Sequence, residues 1–368
     1  FRFRRMRCYD SKVKWQNTES QWGRREGAPP TTTKVVVDYD PRAMDVSHPA
    51  VDDRRMATAS GTVGPRTASP RHLVAVAAPD RSLRSSIRSA WSEARPAVQI
   101  IFQLRLIAVV AVASLDAGAA PRWTAVALCC AGWLCLTWSI YLLNGLADRI
   151  EDRVNGSLRP IAQGTLDAGV ARRFVTVLAC VGMVLCLSAG RPVLMSALVM
   201  LALGFLYSVG PAPLKNRVWG VQVAVFGGGL TTYAAGVCAA GTEVTPAVIV
   251  FAIAMSAWMG VGGLAKDVSD VDGDRAAGRS TLAMWSERGT CLVIASAAGA
   301  ICVGFAVSAW AVEERLIVPA LVLACGAAAI AAFAAVGGSS RRRHARTPYT
   351  AFMYSQYGAH TGALCMLL

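Results

Sequence analysis

Successive apolar runs of about 18 to 25 residues limit what this chain can become more than any other feature, since each is long enough to cross roughly 30 Å of hydrocarbon as a helix. A soluble core seldom offers one helix after another that is apolar on every side. Lipid is therefore the expected solvent, in agreement with 54% hydrophobic residues and a mean hydropathy of +0.42. The expected fold is all-α, a polytopic membrane bundle of nine helices near 98–118, 122–145, 170–189, 191–210, 219–240, 245–265, 288–310, 315–337 and 349–368.

A formal charge of +14 raises the possibility of nucleic acid. The cations, however, sit at the amino terminus and between apolar runs, without basic patches interleaved with aromatics, so no nucleic-acid partner is expected. They instead follow the rule that cytoplasmic loops collect Lys and Arg. The lead-in to the first span carries Arg81, Arg84, Arg88 and Arg95, and the second loop Arg149, Arg153, Arg159, Arg172 and Arg173. The fourth carries Lys215 and Arg217, the sixth Lys266, Arg275, Arg279 and Arg288, and the eighth Arg341, Arg342, Arg343 and Arg346. Odd-numbered loops are nearly bare. The amino terminus and both long polar loops are thus expected in the cytoplasm and the carboxyl end outside, in a membrane taken to be a bacterial plasma membrane. Cys129, Cys130, Cys135, Cys180, Cys186, Cys238, Cys291, Cys302 and Cys325 lie inside apolar runs, form no CxxC pair, and read as small buried hydrophobes.

Residues 1–85 lack a sustained apolar period and read as a disordered or non-native extension ahead of a membrane domain at 86–368. The sequence begins with Phe1, and Met44 and Met56 are alternative starts. A transit peptide fits poorly with Asp38, Asp40, Asp45, Asp52 and Asp53. The segment from Ser86 reads as a short amphipathic lead-in on the membrane surface, with Trp91 as an interfacial anchor.

The chemistry concentrates in two polar loops. In NGLADRIEDRVNGSLRPIAQG, Asn144, Asp148 and Asp152 recur every four residues, which on a helix continuing from the second span places an amide and two carboxylates along one face. Such carboxylates repel unless a cation lies between them; Mg2+ suits oxygen ligands, and a solvated helix laced by Arg149, Glu151 and Arg153 is the alternative. The sixth loop, KDVSDVDGDRAAGRSTLA, holds Asp267, Asp270, Asp272 and Asp274 directly after an apolar run. Charge this dense at a membrane boundary requires pairing, hydration or metal. Gly273 and Gly278 permit a bend or close packing there, and no bidentate Glu follows where an EF-hand would need one. Two acidic clusters on one side suit a pair of metal ions clamping a polyphosphate. Lys215, Arg153, Arg159, Lys266 and Arg279 lie on that side as counter-charges, although Lys215 also satisfies the topology rule by itself.

These motifs resemble those of the UbiA superfamily. Asn144, Asp148 and Asp152 with Arg159, Pro160, Ile161 and Gly164 are similar to its first motif; Gly273, Asp274, Gly278, Thr281 and Leu282 to its second; and Tyr207, Ser208, Pro211, Leu214 and Lys215 to its fourth loop. Gly145 departs from the Asp that many members carry after the Asn. The resemblance covers about residues 86–368 and implies nine helices around a central cavity that opens to the cytoplasm. It implies Mg2+-dependent transfer of an isoprenyl group from a prenyl diphosphate to a lipid-soluble acceptor, expected to be aromatic, within the bilayer. Asp148 and Asp152 would hold one Mg2+, Asp267, Asp270 and Asp274 the other, and Asn144 would orient the first site. Lys215 and Arg159 would neutralise the departing diphosphate, with Lys266 and Arg105 as further candidates. A membrane terpene cyclase of the same superfamily and a non-enzymatic transporter are the competing expectations; acids clustered on one side weigh against the latter.

Arg105, within the first span, either snorkels or contacts a ligand. His360 reads as a packing residue, Trp123, Trp219 and Tyr349 as interface anchors, and Gly227, Gly228 and Gly229 as close packing or a local break.

Overall fold

The computed structural model describes residues 82–335 and 345–365. The expected extension, with its alternative starts, lies outside the described residues up to position 81, as do Arg341, Arg342, Arg343 and the last residues of the final expected span. Among the described residues the chain is helical without strands: α1 Leu83–Glu93, α2 Pro96–Ala117, α3 Trp123–Ala147, α4 Arg149–Val154, α5 Pro160–Gln163, α6 Ala168–Ala189, α7 Arg191–Ser208, α8 Gly220–Ala240, α9 Pro246–Ala276, α10 Leu282–Trp285, α11 Glu287–Val312, α12 Ile317–Ala335 and α13 Thr347–Cys365. Proline opens α2, α5, α7 and α9, where its missing N–H has no helical partner to lose.

Eight of the described helices are long and apolar enough to cross a membrane: α2, α3, α6, α7, α8, α9, α11 and the stretch ending in α12. α13 falls outside that set because Ser355, Gln356, Tyr357 and His360 interrupt its apolar sequence. Gln356 and His360 are buried, so their polarity is turned inward. A ninth crossing by α13 remains a proposal, supported by its packing against α2, α9 and α12.

α2 and α9 form the interior and α6 much of the periphery: 72% of the most apolar stretch of α9 is buried against 17% of that of α6. One core joins α2, α8, α9, α11, α12 and α13 around Phe251, Trp258 and Phe352, and another joins α2, α3, α6, α7 and α8 around Leu106, Trp133 and Leu136. The periphery leaves Val177, Val181, Val184, Leu187, Leu198, Val303, Val307 and Leu321 exposed. At about 25 cal/mol per Å2 such surface is unfavourable in water and neutral in lipid. Outward-facing apolar positions also account for the cysteines. Cys129, Cys186, Cys291 and Cys302 are buried as expected and Cys130, Cys135 and Cys238 are half-buried, but Cys180 and Cys325 are exposed, because an apolar run in a membrane helix has a lipid side as well as a core side.

Two further expectations are corrected. The second acidic motif lies on a helix rather than in a loop: the 31 residues of α9 run about 46 Å, well beyond roughly 30 Å of hydrocarbon, so its final turns carry Asp267 to Asp274 past the apolar layer. Tyr349 is no outward anchor; it lies beside Phe352, ring centroids 5.9 Å apart, on a cavity wall, whereas Trp123 and Trp219 are exposed as expected. α8 continues unbroken through Gly227–Gly229, so the glycines serve packing. Trp91 meets Trp138 edge-on at 5.1 Å, fixing α1 to α3.

Candidate functional site

The first motif straddles a helix break. α3 ends at Ala147, and the chain passes through Asp148 (φ −96°, ψ 17°) into α4. The backbone bonds from Asp148 N to Asn144 O (2.8 Å) and from Asp152 N to Asp148 O (2.9 Å) preserve helical spacing across the break. Asn144, Asp148 and Asp152 therefore share one wall of an open cavity of about 220 Å3. The far end of α9 supplies the facing wall with Lys266, Asp270 and Asp274. The two motifs are pinned together where Gly273 N donates to Asn155 Oδ1 at 2.9 Å. Other walls are mainly apolar and aromatic, including Phe102, Tyr141, Leu203, Met259 and Phe352, with Arg105 and Gln356 among them.

Arg279, in the turn after α9, joins the motifs electrostatically. Its Nη2 donates to Asp148 Oδ1 at 2.7 Å and to Glu151 Oε1 at 2.9 Å, while Nη1 donates to Asp274 Oδ1 at 3.0 Å. Lys215, positioned by the short turn Leu214–Asn216, pairs with Asp148 and lies 3.8 Å from Glu151. Burial pushes the Asp148 carboxyl upward, but Arg279 and Lys215 outweigh it and hold the group below the usual carboxylate range. Burial alone would lower Arg279; Asp148 and Asp274 instead raise it further above its ordinary value.

The remaining expected residues divide. Lys266 is on the wall, paired with Asp270 at 2.7 Å, and Ser269 also donates to Asp270 at 2.8 Å. Asp267 is buried on the same face of α9, one to two turns before Asp270 and Asp274, and does not line the cavity. Arg159 is likewise behind the wall. Its Nε pairs with Glu93 at 2.7 Å, Nη1 with Asp152 at 2.9 Å, and Nη2 donates to Tyr141 O at 3.0 Å. A guanidinium so occupied braces the first motif, and its expected contact with a diphosphate stays a proposal. Arg105 does not snorkel: it is buried on the cavity wall, 4.9 Å above the Phe102 ring, and donates to Gln356 Oε1 at 2.7 Å. His360 bonds Tyr233 at 2.8 Å and the Gln356 carbonyl at 2.6 Å, as a packing residue should.

Glu93, Arg95, Tyr141 and Glu151 were not among the expected site residues, and Arg279 was expected only as a nearby cation. Arg95 lines the cavity with φ at 57°, the described non-glycine residue with a left-handed backbone. Its position immediately before Pro96 marks a helix boundary, because proline displaces its predecessor from helical geometry, but it gives no sign of the left-handed φ. Glu93 offered none; it is an ordinary acid on an amphipathic helix until α1 docks.

Among the described residues no three carboxylates, imidazoles or thiols are gathered closely enough to form a metal cage. Mg2+ does not require one, since it is commonly held by one or two carboxylates and completed by water and substrate phosphates. Asp148 and Asp152 on one wall and Asp270 and Asp274 on the other are hard oxygen donors of that kind.

A helical membrane bundle with acids and cations at the mouth of an apolar cavity defines a class of protein that handles an anionic group attached to a lipophilic one. The UbiA prenyltransferase family model matches residues 106–356, and the chain belongs to that family. It is similar to a UbiA homologue from Archaeoglobus fulgidus bound to GPP and Mg2+, at 16% identity and a TM-score of 0.53, covering 74% of this chain and 99% of that one. A UbiA homologue from Aeropyrum pernix K1 gives 17% identity and a TM-score of 0.56, covering 73% and 98%. In sequence it is 26% identical over 147 residues to digeranylgeranylglyceryl phosphate synthase of Sulfolobus acidocaldarius, covering 39% of this chain and 51% of that protein. The chain thus matches about half the length of that relative.

Proposed function

We propose that this protein transfers an isoprenyl group from a prenyl diphosphate to a lipid-soluble acceptor within the membrane, with Mg2+ as cofactor. One observation carries this reading: acids from both motifs line one cavity with the cations Lys266 and Arg279, Lys215 pairs with Asp148, and the cavity's other walls are mainly apolar and aromatic. The Archaeoglobus homologue bound to GPP and Mg2+ supports the choice of substrate and metal.

Asp148, Asp152, Asp270 and Asp274 would hold Mg2+, with Asp267 supporting them from behind the wall. When bound, the metal would neutralise diphosphate oxygens and make pyrophosphate a better leaving group. Lys215 and Arg279 are close enough to the same acids to share that charge. The substrate C1–O bond breaks with its electron pair leaving on pyrophosphate; the acceptor nucleophile then bonds to C1 and releases a proton. Phe102, Tyr141 and Phe352 offer aromatic surface to the allylic cation and exclude water from it. Arg and Lys on the loops of this end support a cytoplasmic mouth.

The acceptor is proposed as a class, a lipid-soluble nucleophile. An aromatic ring is what the resemblance to the superfamily implies, and the Sulfolobus relative is named for digeranylgeranylglyceryl phosphate, so the two acceptor types are to be set against each other. The test supplies purified protein with Mg2+ and geranyl, farnesyl or geranylgeranyl diphosphate, with and without aromatic and glyceryl-phosphate acceptors. Acceptor-dependent prenylated product is expected. Terpene hydrocarbon or alcohol at equal rate without acceptor would overturn transfer in favour of cyclisation.

A further inference from the structure

Glu93 is fully buried on α1, before the residues that match the family model, yet it reaches the first acidic motif. Its Oε1 pairs with Arg159 Nε at 2.7 Å and its Oε2 accepts from Ile161 N at 2.8 Å. Arg159 in turn pairs with Asp152 at 2.9 Å and donates to Asn144 at 3.4 Å. Space for this arrangement comes from Gly145: a Cβ there would collide with Glu93 Oε1 and with Arg159 Nη2. The lone departure noted in the first motif therefore coincides with the entry of a carboxylate from another helix.

The charges give this geometry a consequence. With Asp152 alone, Arg159 would neutralise the carboxylate and compete with any cation for it. With Glu93 on its other side, the guanidinium is shared, and the trio keeps a net negative charge next to the cavity. We infer that Glu93 is a positioning residue that shares Arg159 with Asp152, so that the guanidinium is not spent on Asp152 alone and the trio stays net negative for a divalent cation. The inference rests on the proposed Mg2+ site. It also makes α1 part of the active centre.

The test measures binding of Mn2+, as a paramagnetic stand-in for Mg2+, by electron paramagnetic resonance on the purified full-length protein without prenyl substrate. Glu93→Gln retains size and hydrogen bonding but removes the charge, and is expected to weaken Mn2+ binding about tenfold, as loss of groups supporting metal ligands commonly does. Glu93→Asp keeps the charge and is expected to keep most of the affinity, which keeps the test open if Glu93→Gln does not fold. Glu93→Gln with Arg159→Gln restores the net negative charge and is expected to recover most of the lost affinity; a purely structural Glu93 would give no recovery. Wild-type affinity in Glu93→Gln alongside loss in Asp152→Asn would overturn the inference about Glu93. Wild-type affinity in Asp152→Asn would instead overturn the metal site on which it rests.

Discussion

Arg279 donates to Asp148 across 2.7 Å, and through this bond the end of α9 is fastened to the junction of α3 and α4. The same guanidinium holds Asp274 and Glu151, so one residue serves three carboxylates from two motifs.

Arg279→Gln should therefore destabilise the protein by about 3 kcal/mol, the scale for stranding buried charge partners. Arg279→Lys should recover only part, because an ammonium lacks the fork that reaches both walls. Thermal unfolding in detergent checks the order wild type, Lys, Gln; equal midpoints would show that the bridge contributes nothing to stability.

Asp148→Asn and Asp274→Asn should each reduce Mg2+-dependent prenyl transfer by at least about 100-fold, the scale of losing one preorganised charge contact at a reacting centre. Single-turnover assays over a Mg2+ titration are the measurement. Full activity in both variants would remove the two-wall site, and unchanged solute flux in liposomes bearing them would further weigh against transport.

Gly228 lines the cavity, and a Cβ there meets only Met200 at ordinary van der Waals distance. Gly228→Leu should insert its side chain into the apolar part of the cavity without forcing the helices apart. The ratio of kcat/KM for geranylgeranyl over geranyl diphosphate should fall about tenfold, the scale for a few methylenes of lost pocket. An unchanged ratio would place the prenyl chain elsewhere.

Gly262 differs, since a Cβ there would run into the Phe352 ring. Gly262→Val should cost about 1–3 kcal/mol through overpacking between α9 and α13. A lowered unfolding midpoint is the expected result, and loss of activity in proportion to unfolded protein would distinguish it from Gly228→Leu.

The architecture was legible because in lipid every backbone polar group must be satisfied within its own segment, so a long apolar run has little choice but to be a helix. The spacing of Asn144, Asp148 and Asp152 survived even a helix break, because i to i+4 bonds continue across it. Loops were harder to read. Nothing local distinguishes a helix that stops at the hydrocarbon edge from one that continues beyond it, which is why the acids of α9 were expected in a loop.

By itself the sequence determined a helical membrane bundle, two acidic motifs and the set of cations near them, since hydropathy and spacing are local properties. Only the tertiary structure decided which cation serves which acid: Arg279 and Lys215 on Asp148, Arg159 shared by Asp152 and Glu93. Coulomb attraction falls with distance and is screened by water, so such pairs are selected by the packing that buries them together. Sequence separation carries no record of that distance.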